Sequence, residues 1–262
     1  MKSISQRCYL VAGLVCAVVL SVAMAVAANM PEAPKISTFA PAEELVGQLD
    51  DYVETIEDSV KSKEEFADSK EKIAKDADTV LLIALALGLH DKPNKYKRAA
   101  PGLVAAAKTV SAAGDYDAAK AAVEALKTAR ASNGDPSTLD WQEAKSASLE
   151  ALMKQVPLIN TKMKRHVRKI KSRTDEAAGH AALLAAIAQG SMPLADKTDK
   201  PAEAEKWYVY CAQMRDAASK LHGLIRKQDQ EGANKAVKDL TKTCDDCHAV
   251  FHPEAEAEAD EQ

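Results

Sequence analysis

The sequence predicts an all-α protein: two tandem antiparallel four-helix bundles behind a signal peptide. Three observations lead to this prediction. Alanine is abundant, and aromatic residues are only 4% of the 262 residues, whereas strands favour aromatic and β-branched side chains. Segments rich in glycine, proline and polar residues separate stretches that are long enough for helices. A set of short motifs also recurs in the same order along both halves of the chain.

Composition and charge limit the class of protein. Hydrophobic residues are 47% and charged residues 28% of the chain, as in ordinary globular proteins. There are 35 basic and 39 acidic residues, a net charge of −4. This mild acidity argues against nucleic acid as the main partner.

Residues 1–28 are predicted to be a signal peptide. Lys2 and Arg7 form a charged start, and the uncharged, largely apolar run Tyr9–Ala28 follows. Small residues at its end suit cleavage near 27–28. A retained membrane anchor is the alternative, because the run approaches membrane-spanning length. We favour cleavage, which predicts a periplasmic protein with no stable membrane insertion.

The rest of the chain reads as two copies of one unit, residues 36–130 and 138–252. Chance similarity between alanine-rich helices is the alternative, but four matches in register favour duplication. The matching segments are Ser37–Phe39 with Ser137–Leu139, Leu81–Gly88 with Leu183–Gly190, Asp91–Pro93 with Asp199–Pro201, and Ala122–Leu126 with Ala236–Leu240.

Proline, glycine and polar residues between the apolar stretches predict four helices in the second unit. They are expected near 139–171, 174–189, 201–227 and 231–251. Pro157 is expected to break or kink the first of them. A loop is expected from Gly190 through Pro193 to Asp199. Residues 131–138 are the predicted linker between units, and 253–262 a disordered acidic tail.

One motif in the last predicted helix carries chemistry. Cys244-Asp245-Asp246-Cys247-His248 is C-x-x-C-H, the attachment pattern of a c-type haem. Cysteines three residues apart lie on one helical face, where each thiol can add to one haem vinyl group. His248 shares that face, so its imidazole can reach the iron. Leu240, Val237 and Phe251 extend the stripe and are expected to pack on the porphyrin.

The cysteines have three other interpretations. A zinc site needs a fourth ligand, and Cys211 is the only further cysteine beyond the signal peptide. A thioredoxin-like C-x-x-C belongs in a βαβ unit, which a helical chain lacks. A plain disulfide between Cys244 and Cys247 stays open and would fit a non-haem helical interaction protein. Export, helices and the adjacent histidine favour haem.

With these features, the chain resembles the cytochrome c′ / cytochrome c556 family over about residues 138–252. The segment Asp199–Pro201 followed by Trp207 is similar to the start of that family's third helix. An aromatic residue, Phe251, follows the motif histidine at the family's spacing, and His252 stands where the family usually has a basic residue. The resemblance implies a four-helix bundle with one covalent haem c and His248 as proximal iron ligand.

The resemblance also implies where a second iron ligand would lie. In this family the first helix covers the distal face, where a methionine gives a six-coordinate electron carrier. An apolar residue there leaves a five-coordinate iron that binds NO or CO. Met153 is the candidate ligand, with an ordinary core side chain as the alternative. Met163 and His166 are weaker candidates in a strongly basic segment.

The first unit lacks this chemistry. Val53 is the counterpart of Met153, and Arg130, Asn133 and Gly134 stand where the second unit has Cys244, Cys247 and His248. We therefore expect a haem-free repeat.

The predicted function is one-electron transfer by an exported mono-haem c-type cytochrome. Its expected partner is a redox protein, and a homodimer is compatible with the sequence. The alternatives are a five-coordinate haem protein for NO or CO, and the non-haem interaction protein. No constellation of catalytic acid, base or nucleophile is found, so an enzyme is not predicted.

Overall fold

The structure, a computed structural model, describes residues 29–134 and 138–253, and every regular element in these ranges is helical. The predicted all-α class is therefore confirmed. The predicted signal peptide and all but the first residue of the predicted tail lie outside the described residues. Eight α-helices follow in order: α1 Ala42–Asp58, α2 Lys63–Leu89, α3 Ala100–Ser111, α4 Tyr116–Ala131, α5 Leu149–Val167, α6 Thr174–Ser191, α7 Ala204–Arg226 and α8 Gln230–Phe251.

Side-chain caps start four of these helices. In each case a serine or aspartate oxygen accepts a hydrogen bond from a backbone N–H three residues later, which satisfies a group that has no partner within the helix. The pairs are Ser62 with Glu65 (α2), Asp115 with Ala118 (α4), Ser148 with Ala151 (α5) and Asp229 with Gly232 (α8).

The first helix of the second unit differs from the prediction. A 3-10 segment at Trp141–Ser146 precedes α5, and the interruption falls at Ala147 and Ser148. Ser148 begins α5 because its side chain caps the first turn. Pro157 lies inside a continuous helix and does not divide it.

The connection between α6 and α7 also differs from the expected loop. Gly190 lies within α6, and a second 3-10 segment, Met192–Lys197, continues from that helix. Its first four residues are buried, so this stretch is part of the interior.

The two four-helix sets share one hydrophobic core. Within each set, consecutive helices pack against each other, and between the sets α1 contacts α6 while α2 contacts α5 and α6. The two most buried helices carry the apolar runs Val80–Leu87 and Ala181–Ala188, in which every side chain is buried. At one close approach, Leu82 of α2 packs directly over Gly190 of α6.

Polar contacts join the sets as well. The buried carboxylate of Glu44 on α1 accepts hydrogen bonds from Arg226 on α7 at 2.8 Å and lies 3.0 Å from the His222 ring nitrogen. None of the described helices is long and apolar enough to cross a membrane.

Candidate functional site

A cleft opens between α5, α7 and α8. It consists of two adjoining cavities that share one set of lining residues: Met153, Pro157, Trp207, Cys247 and His248. The inner cavity has a volume of about 210 Å³. We call the two cavities together the α5–α8 cleft.

The C-x-x-C-H segment forms one wall of this cleft. Cys244, Cys247 and His248 all line the inner cavity, and each side chain is half-buried. Their spacing on the last two turns of α8 puts them on one face of the helix. Both cysteines are free thiols, as is Cys211 on the neighbouring helix.

Burial keeps these thiols protonated. It raises the pKa of Cys247 to about 12, with the neighbouring Cys244 acting in the same direction. Burial and the nearby Asp245 carboxylate also raise the pKa of Cys244. Cys211 is buried most deeply, and burial raises its pKa well above the usual range.

The opposite wall is one stripe of α5. Met153, Pro157 and Asn160 line the inner cavity at spacings of four and three residues, which puts them on one helical face. The Asn160 Oδ1 is buried and has no hydrogen-bond partner among the described residues. This oxygen is an acceptor that a bound group or a water molecule could satisfy.

Aromatic side chains close the third side. The rings of Trp207 and Phe251 meet edge to face with centroids 5.3 Å apart, and Tyr210 meets Phe251 at 6.2 Å. The Trp207 indole N–H donates to the Ser191 carbonyl oxygen at 2.9 Å, which fixes the ring. Trp141, the other tryptophan, is buried in the shared core instead.

Several predicted pocket residues lie elsewhere. Leu240 is buried in the shared core and Val237 packs against it, so of the predicted stripe only Phe251 reaches the cleft. Met163 is fully buried in the core. His166 stacks on His180, with ring centroids 5.3 Å apart.

Other residues at the cleft were not recognised from the sequence as part of a site. Cys211 and Met214 come from α7, and nothing in their local sequence marks them. Pro157 and Asn160 do carry a signal, since they repeat the position of Met153 along one face of α5. This spacing indicates a site only when the location of the cleft is known.

The cleft offers donors of the kinds that a haem iron takes from a protein. Across residues 29–134 and 138–253, no group of three or more Cys, His, Asp and Glu side chains is placed to hold a metal ion. A haem iron takes only axial ligands from the protein, so a single imidazole and a facing thioether are the relevant donors. His248 and Met153 line the same cavity from α8 and α5.

The counterparts of these residues in the first half have different surroundings. Val53 is completely buried, whereas Met153 borders open space. Arg130 lies among acidic side chains, 3.7 Å from Asp50 and 3.4 Å from Glu57. An ion-pair cluster therefore involves the residue that the repeat aligns with Cys244.

Comparison with protein-family models, with curated proteins and with solved structures gives no match.

Proposed function

We propose that this protein is an exported mono-haem c-type cytochrome that transfers single electrons. One observation carries the proposal: the C-x-x-C-H segment of α8 and Met153 of α5 line a single cleft. Two thiols, an imidazole and a thioether from distant parts of the chain thus border the same space. Aromatic rings from α7 and α8 supply an apolar boundary for a flat macrocycle.

The two thiols would attach the group covalently. Each thiol adds across one vinyl group: a carbon–sulfur bond forms, and the thiol hydrogen goes to the other vinyl carbon. The addition needs free thiols, consumes no oxidant and releases no by-product. Cys244 and Cys247 meet this requirement because neither forms a disulfide.

The remaining donors would hold the iron. His248 shares a helical face with the thiols and would supply one iron ligand once the haem is attached. Met153 faces it from α5, and a methionine–histidine pair raises the reduction potential of a haem. When bound, the haem supplies a one-electron iron couple.

Binding of NO or CO is the second candidate. It is favoured by the apolar lining next to Met153, where Val156, Pro157 and Ala188 border the inner cavity. A small uncharged gas would fit such a site if the Met153 sulfur does not reach the iron. We propose no catalytic acid, base or nucleophile in either case.

Absorption spectroscopy tests the proposal. The chain is expressed in a bacterium that attaches haem to exported cytochromes, and the dithionite-reduced protein is measured before and after CO is added. Sharp α and β bands that CO does not move support six-coordinate electron transfer. A broad high-spin spectrum that CO shifts supports gas binding. A colourless purified chain contradicts both and supports the non-haem interaction protein.

A further inference from the structure

The haem-free half of the molecule holds the helix that carries Met153. Two faces of helix α5 make different contacts. Met153, Pro157 and Asn160 line the cleft, whereas Gln155 contacts the first half. Residues two apart on an α-helix are about 200° apart around its axis. Helix α5 is therefore the wall between the first half and the cleft.

Within the described part of the chain, the side-chain hydrogen bonds of Gln155 are to residues of the first half. Its Nε2 donates to the Tyr52 hydroxyl oxygen of α1 at 2.8 Å and to the Asp76 Oδ1 of α2 at 3.1 Å. The other carboxylate oxygen of Asp76 accepts from the Lys72 ammonium group at 2.6 Å. Gln155 and Asp76 are both buried, so these bonds are shielded from competing water. We call Tyr52, Asp76 and Gln155 the α5 bracket.

A second contact fixes the start of the same helix. The backbone N–H of Ser148, the cap of α5, donates to the Asp78 Oδ2 at 3.0 Å. Asp78 is buried and lies two residues after Asp76 on α2. Two carboxylates of one first-half helix thus hold α5 at its cap and about two turns further on.

The bracket lies where α5 lacks internal support. In an α-helix the N–H of residue 157 would bond to the carbonyl oxygen of residue 153, but Pro157 has no N–H. The turn that presents Met153 to the cleft is therefore missing one of its own hydrogen bonds. Gln155 is the middle residue of this turn, and its two side-chain bonds anchor the turn from outside.

We propose that the α5 bracket positions Met153 over the haem site, which makes Gln155 a positioning residue and gives the haem-free half a role in setting the distal side of the iron. This inference rests on the proposed haem site. It predicts that loosening the bracket changes ligand access to the iron although no bracket residue touches the cleft.

The test compares three variants of the full chain. Gln155→Leu removes both bonds, and Tyr52→Phe removes only the phenolic oxygen, so it is the milder change. His90→Leu is the matched control, since His90 is also buried and polar but its side chain contacts Ala40, Lys92 and Asp91, all within the first half. For each variant, backbone hydrogen exchange of residues 153–161 and the CO affinity of the reduced protein are measured.

The expected result is selective. Gln155→Leu should speed exchange in this segment and weaken the competition of Met153 with CO, so that the variant responds to about tenfold less CO than the wild type, the factor that loss of one buried hydrogen bond can produce. Tyr52→Phe should change both readouts in the same direction to a smaller extent. His90→Leu should change neither, even where it lowers the melting temperature equally. If the three variants behave alike on a haem-bearing protein, the bracket is only structural and the inference is wrong. A wild-type chain without covalent haem overturns the proposed function, and the inference with it, even where exchange responds.

Discussion

The rings of Trp207 and Phe251 meet edge to face at the mouth of the cleft, with centroids 5.3 Å apart and the planes at 77° to each other. This pair joins α7 to the last turn of α8, directly beside Cys247 and His248. It therefore brings a fluorescent side chain to the wall of the proposed haem site, while Trp141 lies in the shared core.

We expect covalent haem to quench the fluorescence of Trp207 far more than the fluorescence of Trp141. A Trp141→Phe variant reports Trp207 alone, and a Trp207→Phe variant reports Trp141 alone. Each is measured with the two motif cysteines intact and with both replaced by alanine. Most Trp207 emission should be lost only in the haem-bearing form. Equal Trp207 emission in the two forms would place the haem elsewhere.

Met153→Ala should open the distal side of the iron. If the methionine sulfur is a ligand, the variant changes from a low-spin to a high-spin spectrum and gains CO binding. Met163→Ala is the control, because Met163 is on the same helix but fully buried in the core. Its loss should cost about 2–5 kcal/mol of unfolding free energy and leave the spectrum unchanged. A silent Met153→Ala contradicts the distal assignment.

The contact between the two helix sets can be tested at Gly190. A Cβ added there would lie 2.9 Å from a Leu82 methyl carbon in the closed core, so Gly190→Ala should destabilise the protein by about 1–3 kcal/mol. Gly47→Ala meets open space on α1 and should instead stabilise by up to about 1 kcal/mol. Urea unfolding measures both. A stabilising Gly190→Ala would mean that the sets are not packed closely at this point.

His180 should make stability depend on pH. Burial, together with the nearby positive groups His166, Lys162 and Arg165, lowers its pKa to about 4, and only Glu176 opposes them. An unfolded histidine titrates near 6.5, so between pH 6.5 and 4 the unfolded chain binds more protons. The contribution of His180 to the free energy of unfolding is therefore fully present above pH 6.5. It falls as the pH drops and is lost below pH 4. The expected loss is on the order of 3 kcal/mol.

Urea unfolding at pH 7, 5 and 4 checks this dependence. Comparison with His180→Asn isolates the histidine from the carboxylates that titrate in the same range. The variant should lose less stability than the wild type on acidification. Parallel curves for the two proteins would contradict a neutral, half-buried His180.

The helices themselves were largely predictable, because their ends depend on local residues. Helix α8 was expected at 231–251 and runs over Gln230–Phe251, where Asp229 caps its start. The start of α5 was missed by ten residues. Pro157 is the stronger breaker in the sequence, but Ser148 is the residue whose side chain caps a helix.

The shared core was not predicted, although the sequence carries a signal for it. The runs Val80–Leu87 and Ala181–Ala188 have no polar face, and a helix that is apolar all round is buried on every side. Such helices need neighbours beyond their own four-helix set. As matching motifs of a repeat, the two runs do not by themselves indicate the contact of α2 with α5 and α6.

Only the part of the candidate site whose residues are close together in the sequence was predictable. The positions of Cys244, Cys247 and His248 follow from one motif, whereas Met153 came from a family resemblance. Gln155 could not be identified, because its role depends on Tyr52 and Asp76, each more than seventy-five residues away in the chain. Export, haem and electron transfer stay predictions.

The mass of the purified chain tests the central claim most directly. The wild type should exceed its polypeptide mass by one haem, which survives denaturation because two thioether bonds hold it. Cys244→Ala combined with Cys247→Ala should lose this added mass. Cys211→Ala, which removes a third thiol from the same cleft, should keep it. A wild-type chain of unmodified mass, from cells that attach haem to another exported cytochrome, would contradict the account.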